Sequence, residues 1–229
     1  MYDIVFISYN ESLADHNFKL LCDRFPIAQR VKGVKGIHNA HIEAAKVSMT
    51  KMFWVVDADA QIVEDFNFDY KVNKYNLDTV HVWQSVNPIN DLQYGYGGVK
   101  LLPKQLTLDM DTTTTDMTTS ISKNFKAIKQ VSNITAFNSD PFSAWKSAFR
   151  ECVKLSSKVI DRQLDDETEQ RLDIWCTKGS ERPYGDFAIE GAKSGRKFGT
   201  EQKDKLNYIN DFDWLKKHFE ETCSVSTYY

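Results

Sequence analysis

The sequence predicts an α/β fold: a mostly parallel sheet flanked by helices, followed by a helical carboxyl-terminal portion. Three observations predict it. Apolar runs of strand length alternate with amphipathic helical stretches through the first 60 residues. The runs Ile4-Val5-Phe6-Ile7 and Met52-Phe53-Trp54-Val55-Val56 are continuous, as in strands covered on both faces. From Pro141 onward the apolar period is helical.

The first strand ends in the polar run Ser8-Tyr9-Asn10-Glu11. A helix is predicted from Ser12, with Asp15 completing a capping pair and Phe18, Leu21 and Cys22 forming the apolar stripe. Phe25-Pro26 ends it. Residues 27–31 read as a second strand, and Gly33 and Gly36 bracket a loop. Residues 37–49 are helical, and Ala40, Ala44, Val47 and Ser48 give a narrow face that can lie close on a sheet. The strand at 52–56 then runs directly into Asp57-Ala58-Asp59-Ala60. Strand, helix, strand, helix, strand implies parallel pairing through right-handed crossovers. Ligands of such sheets bind outside the carboxyl ends of the strands, where residues 8–11 and 57–59 fall.

Further strands are predicted at 79–85, 97–104 and 131–137, with a turn in the Thr-rich run 112–115. Helices follow at 142–160 and 167–176. Arg182-Pro183-Tyr184-Gly185 turns into a helix at 186–194, Gly195 and Gly199 punctuate a loop, and residues 205–219 close with a helix. Residues 1–140 are expected to form the sheet-based core. Residues 141–229 are expected to form a helical part packed on the same domain.

Composition excludes some functions. A formal net charge of −3 rules out a general polyanion binder held by bulk charge, although 29 Lys and Arg leave room for a local basic patch. The four cysteines, Cys22, Cys152, Cys176 and Cys223, show no C-x-x-C spacing, which speaks against zinc and against a disulfide framework. No apolar stretch approaches the roughly 20 residues of a spanning helix, and no leader-like segment opens the chain. A reducing, cytoplasmic protein without a membrane partner is expected.

Asp57-Ala58-Asp59 is the main chemical signal. Two carboxylates where a buried strand turns outward suit a hard divalent cation that also bridges a diphosphate. The plain alternative is a solvated acidic turn. The segments Lys35-Gly36-Ile37-His38-Asn39-Ala40-His41-Ile42-Glu43-Ala44-Ala45 and Phe53-Trp54-Val55-Val56-Asp57-Ala58-Asp59-Ala60 resemble the core of GT-A glycosyltransferases. Glycine, small-residue helix, apolar strand and D-x-D follow in that family's order. Residues 4–11 match its first strand, and the likeness covers about the first 100 residues. More narrowly, the chain resembles phage proteins that glycosylate modified bases in phage DNA, such as hydroxymethylcytosine arabinosyl- and glucosyltransferases; such a protein would work in the host cytoplasm.

The resemblance implies a GT-A, Rossmann-like fold and a UDP-sugar donor with Mn2+ or Mg2+. Ser8, Tyr9, Asn10 and Glu11 would contact the nucleoside, and Arg30 and Lys35 would lie near base or phosphates. His38, Asn39 and His41 would line the donor side, and Asp57 and Asp59 would hold the cation beside Ala58. Each histidine is equally readable as a satisfied imidazole.

Tyr94-Gly95-Tyr96-Gly97-Gly98 allows close backbone approach and stacking on a sugar or base, or is a Gly-rich hairpin with packed tyrosines. Trp83, Asn87, Asn90 and Asp91 precede it as further substrate candidates. Asp140 is a candidate general base and, before Pro141, equally a helix N-cap. Asp186 is a candidate catalytic carboxylate or late metal ligand, since the late histidine, His218, falls in an apparently exposed helix. Arg182 and Arg196, with Lys193 and Lys197, are candidates for phosphate contact or for a solvated basic face.

The expected activity is therefore transfer of arabinose or glucose from a UDP-sugar to a hydroxyl, with 5-hydroxymethylcytosine in DNA as the acceptor. The alternatives are a glycan or other acceptor, or a non-catalytic nucleotide-binding module; a nucleotidyltransferase is the main rival chemistry, lowered by the lack of a Gly-rich, Lys/Arg-bearing phosphate loop after the first strand.

Overall fold

The apolar runs form the middle of an eight-stranded sheet in the computed structural model, which describes residues 1–95, 97–159 and 164–223. The expected order holds at the start: β1 (Asp3–Ser8), α1 (Ala14–Arg24), β2 (Gln29–Lys32), α2 (Ile37–Val47) and β3 (Met52–Asp57). β1 pairs in parallel with both β2 and β3. Then come β4 (Ala60–Ile62), β5 (Val80–Val86), β6 (Gln93–Tyr94), β7 (Val99–Pro103), the short helices α3 (Lys104–Leu108) and α4 (Met117–Ile121), and β8 (Phe125–Thr135). The strand order is β2-β1-β3-β7-β5-β8-β4, with β6 on β5. β7 runs antiparallel to both β3 and β5, and β5 pairs in parallel with β8.

Alternation along the strands divides two apolar layers. Ile4, Phe6, Met52, Trp54, Val56 and Leu101 pack with Ala14 and Leu21 of α1 and with Phe66, Phe68 and Trp83. Val5, Ile7, Phe53, Val55 and Leu102 pack with Ala44 and Ala45 of α2 and with Met117 and Ile121 of α4. Ala44 and Ala45 are fully buried, but the face read from the sequence is corrected: Val47 is 40% exposed and Ala40 half-buried, and the buried side of α2 is His38, His41, Ala44 and Ala45.

The chain divides into two units. Met1–Asn87 with Gln93–Ala136 form the first; Pro88–Leu92 with Phe137–Tyr229 form the second. The second unit contains α5 (Pro141–Ser157), α6 (Asp165–Thr177), α7 (Gly185–Glu201), a 3-10 segment (Lys203–Asn210) and α8 (Phe212–Thr222). Its aromatic core includes Trp145, Phe149, Phe198, Trp214 and Phe219.

Several local expectations are corrected. Ser12 does not cap α1: the N-cap position is Leu13, with no side-chain cap, and Asp15 instead accepts from Arg30 and Lys32. β8 begins six residues earlier than predicted, because its first half is largely exposed and polar and carries no apolar period. Residues 203–210 are 3-10, not the start of one long helix; Asp211 then caps α8 by accepting from the Asp213 and Trp214 amides. His218 is half-buried, stacked 4.7 Å from the Trp214 ring.

Gly195 and Gly199 lie inside α7, not in a loop. With Gly191 they recur every fourth residue, on one helical face. That face meets the backbone of α5. A Cβ at Gly191 would stand 2.3 Å from the Trp145 carbonyl oxygen, and one at Gly195 2.3 Å from that of Phe149. Close helix approach therefore overrides the poor helix propensity of glycine. G195A, which would raise stability by about 1 kcal/mol at an exposed helical site, is expected to lower it here by roughly 1–3 kcal/mol. Urea unfolding midpoints of wild type and variant check the sign.

Candidate functional site

The carboxyl ends of β1, β2 and β3 gather the polar residues that the sequence placed there. Ser8 ends β1 and is buried. Its hydroxyl accepts from Arg30 Nε at 3.0 Å, and its carbonyl accepts from the Gly33 amide at 2.9 Å. Gly33 has φ +79°, which turns the chain from β2 toward α2. The amide of Tyr9 donates to Glu11 Oε2 at 2.7 Å, folding residues 9–11 into a tight polar turn with Asn10 exposed.

Arg30 is held from three sides. It lies over the Phe6 and Phe18 rings at 5.6 and 5.3 Å and pairs with Asp15 at 2.6 Å. Hydrogen bonds from Arg30 and Lys32 hold the Asp15 carboxyl below its ordinary pKa. Arg30 thus fixes the Ser8 end of β1 against the start of α1.

α2 starts at Gly36 (φ +92°) without a side-chain cap, so its first amides and positive dipole end lie at this edge of the sheet. Lys35 and Asn39 are exposed beside it, with Asn39 donating to the Lys35 carbonyl at 3.3 Å. His38 is buried, with Nε2 3.5 Å from Thr114 Oγ1. His41 is completely buried, its Nδ1 2.8 Å from the Ile37 carbonyl. That carbonyl only accepts, so Nδ1 carries the proton and Nε2 is left as a buried acceptor without a hydrogen-bond partner. Burial, with the nearby Lys100 ammonium, drives the His41 pKa well down, so the imidazole is neutral at neutral pH.

The decisive contact involves a residue the sequence did not single out. Lys100, opposite Val55 on β7, reaches along the α2 face of the sheet to Asp57. Its Nζ donates to Oδ1 at 2.8 Å and Oδ2 at 2.9 Å, and also to the Gly97 carbonyl. The lysine side chain is 3% exposed and that of Asp57 27%. The Asp57 amide donates to the Gly98 carbonyl at 2.9 Å, so D-x-D and the glycine turn are joined at two points. Gly97 has φ +87°. A Cβ on Gly98 would lie 2.6 Å from Asn133 Nδ2. Asn133 is fully buried in a network missed by sequence reasoning: Ser85 and Ser132 hydroxyls donate to its Oδ1, and its Nδ2 donates to Thr135. The available signal was an Asn, a poor strand former, inside the predicted strand 131–137.

Backbone contacts fix the rest of the D-x-D turn. The Ala58 carbonyl accepts from Asn17 Nδ2 at 2.8 Å, and the Asp59 carbonyl accepts from the Ala136 amide at 2.7 Å. Two carboxylates at a strand end fit a divalent cation that takes its remaining ligands from water and substrate phosphates. They do not fit a cation held by protein alone. Lys100 already balances Asp57, and no group of three or more His, Cys, Asp or Glu is assembled among the described residues.

The other candidates have local partners of their own. Trp83 is 1% exposed and packs 4.5 Å from Trp54 in the core. Asn87 and Tyr94 are buried, Gly95 is exposed, and Tyr96 lies outside the described residues. In the second unit, Asp140 is the N-cap of α5, accepting from the Ser143 amide at 2.8 Å, with Pro141 in the first turn. Burial alone would raise its pKa, but hydrogen bonds from Ser143 and Ser139 outweigh this and hold it low. Asp186 is exposed in the first turn of α7. Arg182 pairs with Asp91 at 3.4 Å; Arg196 pairs with Glu169 and Asp173 at 2.7 and 2.8 Å.

No family model matches the chain, and no curated protein matches it. Among solved structures it is similar to HddC from Yersinia pseudotuberculosis, with 17% identity, 58% of this chain and 70% of that chain covered, and a TM-score of 0.33.

K100M would strand a partly buried carboxylate and is expected to cost about 3 kcal/mol; D57N/K100M should recover most of that loss in urea unfolding. At α5, D140A is expected to lose about 1 kcal/mol with its cap, whereas D140N, which still caps, should lose little at pH 7. Since the folded Asp140 pKa is depressed, its contribution is present above the unfolded pKa and is lost as pH falls through the folded value. The stability of D140N should lack that acid-side component in parallel pH series.

Proposed function

We propose that this protein is a nucleotide-sugar glycosyltransferase whose donor site lies at the carboxyl ends of β1, β2 and β3. One observation carries the reading: a parallel β2-β1-β3 leaf brings Ser8, the uncapped start of α2 and Asp57-Ala58-Asp59 to one edge. An anionic diphosphate is favoured by the positive end of α2 and by exposed Lys35. Residues 8–11 provide hydroxyl and backbone groups for a nucleoside. Asp57 and Asp59 would hold a Mn2+ or Mg2+ ion, which when bound would neutralise charge on the leaving diphosphate.

In this reading UDP is the nucleotide and arabinose or glucose the sugar. The acceptor is the hydroxymethyl group of 5-hydroxymethylcytosine in DNA, which an enzyme working on a base takes out of the stack. Asp140 is the carboxylate assigned to the acceptor proton. Its depressed pKa makes it a weak base, so D140N measures that assignment directly: unchanged turnover in a stable variant removes it.

The donor reading is tested by thermal stability with UDP-sugars, with and without Mn2+. A melting temperature that rises with UDP-glucose or UDP-arabinose, and rises less in D57N and D59N, is the expected outcome. Incubation with hydroxymethylcytosine DNA, followed by nucleoside mass analysis, should show a pentose or hexose adduct that D59N reduces by at least about tenfold. Stability unmoved by any nucleotide would overturn the donor site. A shift without a DNA adduct would move the acceptor to a glycan or other hydroxyl, or make the chain a binding module.

A further inference from the structure

A net charge of −3 leaves room for a local basic patch, and folding assembles one that the candidate site does not use. It lies on β8. β5 pairs with one side of that strand from Phe125 onward, while β4 covers the other side only from Asn133 to Thr135. From Phe125 to Val131 the outer edge has no strand partner among the described residues. Lys123, just before the strand, Lys126 and Lys129 recur every third residue here, all exposed, and residues 122–131 hold no carboxylate. The register with β5 slips between Trp83 and Gln84, which leaves Lys129 and Gln130 in a bulge.

Residues 69–79 are tied to this strand at three points. The Val80 amide donates to the Asn124 carbonyl at 2.9 Å, Asn124 Nδ2 donates to Asp78 at 2.7 Å, and Lys126 Nζ donates to the Tyr70 hydroxyl at 3.2 Å. The segment adds exposed Lys71 and Lys74. Across the two segments five lysines stand against two carboxylates, Asp69 and Asp78. None of the five lysines is in an ion pair among the described residues. A 3-10 turn at Lys74–Asn76, capped by Asn73, holds the Tyr75 ring 78% exposed, with Lys74 Nζ 4.9 Å from its centroid. Phe125 is also exposed.

Lysines and a bulge on an open edge keep it from pairing with another strand. Lys126 and Lys129 suffice for that, and the role calls for neither Lys71, Lys74 nor an outward tyrosine. Ammonium groups interleaved with exposed rings suit an unpaired polynucleotide, whose phosphates track the charges while its bases stack on the rings. A duplex hides its base faces and would use the charges alone. We propose that the outer edge of β8, with residues 71–75, binds single-stranded DNA without sequence preference. The edge leads toward the candidate site: Ala136, just past β8, donates its amide to the Asp59 carbonyl at 2.7 Å. That point is roughly 30 Å along the strand from Lys126. The choice of DNA over RNA rests on the acceptor reading above; the surface itself uses no residue of the donor site.

The test is fluorescence anisotropy of a labelled oligo-dT of about 20 nucleotides with the full chain, at about 20 mM salt, without nucleotide sugar or divalent metal. Binding should saturate and weaken with salt, the log of the association constant falling by about 0.7 per phosphate contact per decade of salt. K71Q/K123Q/K129Q should weaken binding by at least about tenfold and flatten that slope by about 2. Y75A should weaken it about fivefold and leave the slope alone. K203Q/K205Q/K216Q removes the same charge from exposed positions of the 3-10 segment and α8, and should leave binding unchanged. All substituted side chains are exposed, and urea midpoints equal to wild type establish that the variants are folded. No binding to oligo-dT, equal losses in the two triple variants, tighter binding of a duplex or of oligo-U, or binding to anionic lipid vesicles in place of the oligonucleotide would each overturn the proposal. With neither donor nor metal present, its failure is read separately from failure of the donor site.

Discussion

The candidate site is organised around one buried ammonium. Lys100 has its donors on both oxygens of Asp57 and on the Gly97 carbonyl, so a single side chain sets the D-x-D carboxylate and the glycine turn against each other. Placing a lysine there carries a desolvation cost of several kcal/mol before pairing. The pair tolerates it because the ammonium is fully matched by acceptors and Asp57 retains contact with solvent. It also depends on strand order. Only because β7 inserts antiparallel beside β3 does residue 100 fall opposite Val55, one strand across and two residues short of Asp57.

The same logic recurs at the neighbouring strand. Arg30 is anchored by Phe6, Phe18 and Asp15 and holds the Ser8 hydroxyl, so the end of β1 is fixed by a cation just as the end of β3 is. On the α2 side, His41 of α2 is buried and neutral. A protonated imidazole there would face the Lys100 charge in a poorly solvated layer, which is the physical reason its basic form prevails. These charges shape the protein side of the edge. The start of α2, which has no side-chain cap, adds its positive dipole end to this edge.

Much of this edge was legible in the sequence. Continuous apolar runs at 4–7 and 52–56 identified strands covered on both faces, whereas the predicted small face of α2 was right at Ala44 and Ser48 and wrong at exposed Val47. What local pattern could not supply was partner choice. β7 was recognisable as a strand, but its direction and neighbours were not, so Lys100 read as one more charge in a β segment. Asn133 was hidden in the same way, since its partners Ser85 and Gly98 lie 48 and 35 positions away in the chain. The glycines of α7 misled for the opposite reason. Their low helix propensity is a local fact, whereas their spacing of four matches a contact with α5 that exists only after folding.

The charge pairing also changes what Asp57 and Asp59 can do. Without Lys100, both carboxylates would contribute their full charge to attracting a dication. With an ammonium 2.8 Å from Asp57, part of that attraction is already spent inside the protein. A second cation at the same carboxylate would also meet like-charge repulsion, which at 4 Å and an effective dielectric of about 20 is on the order of 4 kcal/mol per unit charge. A diphosphate at the edge would offset that repulsion. In the proposed donor site, metal affinity at this strand end would therefore be conditional on the nucleotide, a consequence of Lys100 rather than of the D-x-D motif itself.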